Sequence, residues 1–128
     1  MPLDTFHLSK KERDDLVKLK RWTKVPHWNV LCRLAFCYSL ADTSPVRPQA
    51  VHGDSPVEMS WKTFGGEYQG VYLALLKQRC LADGEPLDSD TLARQFRLHL
   101  MRGIGSLANL RIRSLAALAS KFDPESRT

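Results

Sequence analysis

The sequence predicts a mainly α-helical protein that starts with a short strand and a helix-turn-helix pair, followed by two or three further helices. Three observations favour this class. Apolar residues recur at helical spacing in four stretches, helix-capping residues precede two of them, and only one short N-terminal stretch alternates as a strand does. With 128 residues, 43% hydrophobic and 26% charged, the chain has the composition of one globular domain. We expect the domain to span residues 1–122, with 123–128 as a flexible tail.

The first elements are a strand and a helix that has an apolar side and a basic side. Residues 5–8 (TFHL) alternate in polarity, which predicts the strand. Ser9 and Glu12 have the spacing of a capping box, so a helix is expected to begin there. The core side of this helix is a narrow seam formed by Leu16, Leu19 and Thr23.

The second helix is predicted after a turn at residues 23–26, and it runs from 27 to about 40. Its segment 30–38 is apolar nearly all round, so it needs neighbours on more than one side. Because one chain of this size has few helices to supply them, we expect part of this helix to contact a second subunit. Strand, helix, turn and helix is also the order of a ribbon-helix-helix unit, which predicts an obligate oligomer.

The middle of the chain, residues 42–66, contains three prolines and three glycines and predicts a long loop, or a short hairpin around 57–64. A third helix is expected from about 67 to 82, with an inner side formed by Val71, Leu75 and Leu76. Asp88 or Asp90 should cap a fourth helix that begins near 91.

The fourth helix carries its apolar residues and Gly103 on one face, and its arginines (Arg94, Arg97 and Arg102) around the other. Gly103 and Gly105 weaken a helix by about 1 kcal/mol each, so both are expected where a neighbouring backbone approaches closely. A last helix is predicted from 111 to 122.

Several function classes find no support in the sequence. No apolar run approaches the roughly 18 residues of a membrane span, and no secretory signal begins the chain, so we expect a cytoplasmic protein. Nucleotide motifs and metal-ligand histidine spacings are absent from the sequence. We therefore expect no catalytic residues, no metal and no cofactor. The cysteines are expected to be reduced core residues (Cys32, Cys37 and Cys80), and His99 is expected to be structural.

Charge is strongly segregated along the chain. Residues 1–24 carry seven basic against four acidic residues, and residues 91–121 carry six basic and no acidic residues. Between them, residues 42–90 carry four basic against eight acidic residues. Two basic ends around an acidic middle indicate a surface that faces a polyanion.

Four blocks of the sequence resemble the DndE family of bacterial DNA sulfur modification proteins. They are LSK at 8–10, NVLCRLAFCYSL at 29–40, FGGEYQG at 64–70 followed by LALLKQ at 73–78, and FRLHLMRGIGSL at 96–107. The ordered set carries the resemblance, since no single block is diagnostic. The segment beyond residue 111 fits the family less well.

This resemblance implies a helical homotetramer that binds duplex DNA, preferably nicked, without an active site of its own. It also implies work beside the partner proteins that carry out the sulfur chemistry of DNA phosphorothioation. The DNA-binding role of a lysine-rich family surface maps by position onto Lys10, Lys11, Arg13, Lys18, Lys20, Arg21 and Lys24. The acidic middle is then expected to face away from DNA.

Two other functions stay open from the sequence. A ribbon-helix-helix repressor would read operator bases through Thr5 and His7 of the first strand. A protein-interaction scaffold would use the basic faces to contact acidic partners and would not bind DNA directly.

Overall fold

The computed structural model describes residues 4–122, which are mainly helical as predicted. Two short strands form one antiparallel pair. A 3₁₀ turn at Gly66–Tyr68 links the third and fourth helices. The elements are β1 (Thr5–His7), α1 (Lys10–Thr23), α2 (Trp28–Ala41), β2 (Glu58–Ser60), α3 (Trp61–Gly65), α4 (Gln69–Ala82), α5 (Ser89–Asn109) and α6 (Leu115–Ser120). The predicted tail at 123–128 lies outside the described residues.

Helix α1 begins with the predicted capping box. The Glu12 backbone N–H donates to Ser9 Oγ at 3.1 Å, and the Ser9 backbone N–H donates to Glu12 Oε1 at 2.9 Å. Two of the orphan donors at the helix start are thereby satisfied. The predicted seam is confirmed, because its three residues are buried: Leu16, Leu19 and Thr23.

The strand pair joins the two halves of the chain. Phe6 of β1 lies opposite Met59 of β2, so the partner of the first strand comes from the same chain. Of the two alternatives predicted for 42–66, an irregular loop is found at 42–57, and the local hairpin around 57–64 is wrong, since the chain turns helical at Trp61 immediately after β2. Ser60 caps that helix by accepting the Thr63 N–H at 3.0 Å. A ribbon-helix-helix unit differs here, because it pairs its strand with a second copy.

An aromatic cluster holds α2, α3 and α5 together. The Phe64 ring lies 4.9 Å from the Phe96 ring edge-on, and the Phe36 ring lies 5.4 Å from Phe96. Trp61 stacks on Phe64 with ring centroids 5.2 Å apart. These four side chains are buried, and such pairs contribute about 0.5–1.5 kcal/mol each beyond the area they bury.

Helix α2 is partly covered within its own chain. No residue in 28–40 is fully exposed, because α1, α3 and α5 pack against the helix, but eight of these thirteen residues are only half-buried. The predicted subunit contact on this helix is therefore not contradicted by the fold of one chain. Oligomerisation stays a prediction.

Helix α4 does not bury the face that the sequence predicts. Leu76 is buried as expected, but Val71 and Leu75 are 55% and 37% exposed. The helix is apolar on several sides and lies at the periphery, so its sequence pattern does not select one inner face. Solvent-exposed apolar side chains are thus concentrated on α4 and not on α2.

Glu12 and Arg97 form a buried, two-pronged ion pair. Arg97 Nη1 lies 2.9 Å from Glu12 Oε2, and Arg97 Nη2 lies 2.6 Å from Glu12 Oε1. The predicted cationic face of α5 is therefore wrong for Arg97, which is 8% exposed, while Arg94 is exposed. Glu12 consequently caps α1 and anchors it to α5 at the same time.

The C-terminal helix is shorter than predicted. Ser114 Oγ accepts the Ala117 N–H at 3.0 Å and starts α6 at Leu115. Residues 111–113 therefore form part of a turn, with Ile112 buried and the arginines on both sides of it exposed.

Gly103 is where α5 meets the backbone of α2. A Cβ at this position would lie 1.8 Å from the Ala35 carbonyl oxygen, so no side chain fits. Gly105 has nothing within 4 Å of such a Cβ, so the expectation of a close approach is confirmed for Gly103 and wrong for Gly105.

These two glycines give a matched pair of substitutions. Gly103→Ala should lower the free energy of unfolding by about 1–3 kcal/mol because α2 and α5 must separate. Gly105→Ala should leave it unchanged or raise it by up to about 1 kcal/mol through helix propensity. Urea denaturation of both variants measures the difference, and equal effects would contradict the close packing at Gly103.

Candidate nucleic-acid interface

The outer face of α1 brings the predicted basic residues together. Because the buried seam occupies the opposite side of the helix, every basic residue of this segment is directed to solvent. Lys24 follows the last turn as its C-cap, with φ at 64° and its N–H bonded to the Lys20 carbonyl at 2.9 Å. All seven predicted residues are exposed: Lys10, Lys11, Arg13, Lys18, Lys20, Arg21 and Lys24.

Two of the seven cations are paired with acids on the same helix. Lys11 Nζ lies 2.8 Å from Asp15 Oδ2, and Arg13 Nη1 lies 3.5 Å from Asp14 Oδ1. Within residues 4–122 the other five form no salt bridge. The uncompensated positive charge of the face therefore comes from Lys10, Lys18, Lys20, Arg21 and Lys24.

A groove beside the C-terminal half of α1 combines these cations with apolar surface. It has a volume of about 500 Å³ and is lined by Val17, Lys20, Arg21, Lys24, Pro26 and Trp28. Basic side chains thus surround a floor of aliphatic and aromatic groups. This combination suits a sugar-phosphate backbone, whose phosphates are anionic and whose sugars present apolar edges.

One acidic residue of the middle segment lies at the start of this face. Asp54 Oδ1 accepts the Lys10 backbone N–H at 2.9 Å, and this hydrogen bond holds the pKa of Asp54 below its usual value. The acidic middle therefore does not face wholly away from α1. The C-terminal half of the helix is the more strongly positive part of the face.

Arg111 and Arg113 are basic residues near α1 that the sequence analysis did not assign to the interface. Both lie in the turn after α5, and Arg113 is stacked over the Trp22 ring of α1 at 4.9 Å. Their proximity to α1 is a tertiary contact, which local periodicity does not contain. The absence of acids between 91 and 121 was the available signal.

A serine–histidine pair in the core is the other arrangement of residue types that is found in catalytic sites. Ser39 Oγ lies 2.8 Å from His99 Nδ1, and Arg102 Nε donates to Ser39 Oγ at 2.9 Å. Ser39 and His99 are 2% and 0% exposed, so this pair does not meet solvent. Burial, and secondarily the Arg102 charge, lower the pKa of His99 to about 4. His99 is buried and bonded through Nδ1 as predicted for a structural histidine, but its Nε2 is buried without a hydrogen-bond partner among residues 4–122.

The cysteines and acidic groups complete the chemical inventory. Cys32 and Cys80 are buried and Cys37 is half-buried, and burial raises the pKa of each thiol, that of Cys32 to about 12. Among residues 4–122, no three His, Cys, Asp or Glu side chains group as metal ligands do. In the same range, no helix combines the length and apolarity needed to cross a membrane.

Comparison with known proteins places this fold beside one family. The family model described as DNA sulphur modification protein DndE matches residues 5–114. The crystal structure of DndE from Escherichia coli B7A, involved in DNA phosphorothioation modification, is 26% identical with a TM-score of 0.67. The similarity covers 84% of this chain and 99% of that one.

A second crystal structure gives the same match. A DndE variant carrying glycine-to-lysine changes, also involved in DNA phosphorothioation, is 25% identical with a TM-score of 0.64. The match covers 83% of this chain and 97% of that chain. A search of curated proteins finds no match.

The buried histidine predicts a pH dependence of stability. Unfolded His99 takes up a proton near pH 6.5, whereas the folded protein takes it up only near pH 4. Stability is therefore full above pH 6.5 and falls as the pH drops from 6.5 to 4, by up to about 1.4 kcal/mol per pH unit. Urea unfolding at pH 7 and pH 5 should show a larger loss for the wild type than for His99→Asn. Parallel losses would contradict this origin.

Proposed function

The chain belongs to the DndE family of DNA sulphur modification proteins, and from this premise we propose that it is a DNA-binding, non-catalytic component of DNA phosphorothioation. Its proposed partners are duplex DNA and the other proteins of the modification system, and this role places it in the cytoplasm. The outer side of α1 and its C-cap, where five cations form no salt bridge within residues 4–122, is the observation that carries the DNA-binding part.

Phosphate contacts supply the affinity in this proposal. Lysine and arginine side chains that neutralise phosphates release condensed counterions, so binding depends steeply on salt and little on sequence. The groove lined by Val17 and Trp28 adds apolar contact with the sugars, which carries no base information either. We therefore expect binding with weak sequence preference.

A homotetramer multiplies this surface. Closed symmetry repeats each basic face, which turns a modest patch into a large one. Tyr68, Val71 and Leu75 lie at spacings of three and four residues along the start of α4 and its preceding turn, and all three are exposed. This apolar stripe is the part of the described surface that we propose a second copy covers.

A preference for nicked DNA follows from the cost of bending. Repeated basic faces on one assembly require the duplex to follow the protein surface, and bending a continuous duplex by tens of degrees costs several kcal/mol. A break in one strand lowers this cost. Nicked duplex therefore retains more of the phosphate contact energy than intact duplex does.

The non-catalytic role is supported by the chemistry of the described residues. The Ser39–His99 pair is buried, and the pKa of every cysteine thiol is raised, so none of these groups is an activated nucleophile facing solvent. The sulfur chemistry is assigned to the partner proteins. The exposed acidic residues of the middle segment are available to contact them.

Titration of the purified protein onto intact, nicked and single-stranded DNA of one length tests this function. We expect the tightest binding to nicked duplex, with log affinity falling against log salt at a slope between about −4 and −8. Strong dependence on base sequence would favour a ribbon-helix-helix repressor instead. Absence of binding near physiological salt would contradict the DNA role and favour the protein scaffold.

Charge reversal on α1 tests where the DNA binds. A triple variant that combines Lys10→Glu, Lys20→Glu and Lys24→Glu should abolish DNA binding near physiological salt, because three phosphate contacts are replaced by three repulsions. The three side chains are exposed, so folding and assembly should be unchanged in sedimentation and circular dichroism.

The matched control reverses three exposed cations of the acidic middle. Arg47→Glu, Lys62→Glu and Lys77→Glu make the same change in net charge away from α1. The control should reduce affinity far less than the α1 triple variant. Equal losses would mean that net charge, and not the α1 face, determines binding.

A further inference from the structure

A second cavity opens on the other side of α1, where the helix meets the turn after α5. It has a volume of about 540 Å³ and four of its eight lining residues are basic. Two of the basic residues come from α1 and two from the turn, about ninety positions later in the chain. The lining residues are Asp15, Lys18, Arg21, Trp22, Ala108, Asn109, Arg111 and Arg113.

The turn is held so that both arginines reach this cavity. Ile112 is 2% exposed and anchors the turn to the core, which leaves Arg111 and Arg113 on either side of it at the surface. Arg111 adopts a φ of 51°, and its N–H donates to the Ala108 carbonyl at 3.0 Å. A left-handed backbone is costly for arginine, so the surrounding structure stabilises this conformation.

Arg113 is also oriented by α1. Its guanidinium carbon lies 4.9 Å from the centre of the Trp22 ring, within the range of a cation–π contact. A cation–π contact leaves the N–H donors unused, and within residues 4–122 the Arg113 guanidinium forms no hydrogen bond or salt bridge. Arg113 is therefore positioned while its hydrogen-bonding edge stays available.

The positive charge in the cavity is not neutralised by the described residues. Asp15 is the single acid of the lining, and its carboxylate is paired with Lys11 at 2.8 Å. None of the four basic residues forms a salt bridge within residues 4–122. Four cations around one concave space attract an anion, and the forked donors of arginine match the oxygens of phosphate.

We propose that this cleft binds a phosphate group of the DNA, with Arg111 and Arg113 as its main donors and Lys18 and Arg21 beside them. The inference rests on the proposed function and extends its interface from one helix to two distant chain segments. Arg21 lines both this cleft and the groove at Val17, so the two form a continuous track across α1. The ligand is either an internal phosphodiester or the terminal phosphate at a nick.

The test is the double variant Arg111→Gln with Arg113→Gln, compared with Arg47→Gln with Arg94→Gln. Both pairs remove two exposed arginines, but only the first pair lines the cleft. We expect the cleft variant to bind nicked duplex about tenfold more weakly at low salt, with a salt slope shallower by about 1, as the loss of one phosphate contact requires. The control variant should keep the wild-type slope. Wild-type affinity and slope in the cleft variant would overturn the proposal.

Three DNA substrates separate the two sources of phosphate. Equal losses on intact duplex, on a nick with a 5′-phosphate and on a nick with a 5′-hydroxyl identify a backbone phosphodiester. A loss confined to the 5′-phosphorylated nick identifies the terminal phosphate. Either result supports the cleft.

A titration with inorganic pyrophosphate separates failure of the cleft from failure of the DNA-binding function. Calorimetry should show binding to the wild type that weakens at least about fivefold in the cleft variant and not in the control. If the wild type binds pyrophosphate in this way but no DNA, the cleft stands as a phosphate site and the proposed function fails. If the cleft variant binds both pyrophosphate and DNA with the same affinity as the wild type, the cleft proposal is overturned.

Discussion

The buried pair of Glu12 and Arg97 determines where the basic helix lies on the domain. Glu12 completes the cap of α1 through the Ser9 N–H and accepts both prongs of the Arg97 guanidinium. Leaving one member of such a pair alone in a core costs about 3–5 kcal/mol, so the start of α1 is tied to the middle of α5. The orientation of every cation on the outer face follows from this attachment and from the buried seam of the helix.

The parts of the fold that local chemistry determines could be predicted from the sequence. Three such features depend on residues at most a few turns apart: the capping box at Ser9, the Asp88 cap of α5, and the separation of apolar and basic faces on α1. The Asp88 cap accepts the Thr91 N–H at 2.9 Å. Six of the seven basic residues of the interface lie on one helix and the seventh, Lys24, caps it, so their common exposure also followed from helical periodicity. To know which of these charges stay unpaired, the positions of the Asp14 and Asp15 side chains were needed as well.

The missed features depend on distant residues. β2 pairs with a strand more than fifty positions earlier, so the composition of 57–64 alone favoured a hairpin that does not exist. Arg97 resembles any surface arginine until Glu12 is placed opposite it. Likewise, Arg111 and Arg113 join the α1 face only because Ile112 anchors the intervening turn in the core. In each case a tertiary contact overrides the local pattern.

The separation of Glu12 and Arg97 in the chain has a consequence during protein synthesis. Their hydrogen bonds join residues 85 positions apart, and α1 packs mainly against α5. At translation rates of about 5–20 residues per second, on the order of ten seconds pass between the emergence of these two partners. The basic helix therefore leaves the ribosome before α5, its main packing partner, has been made. The ion pair between α1 and α5 forms only when nearly the whole domain has been made.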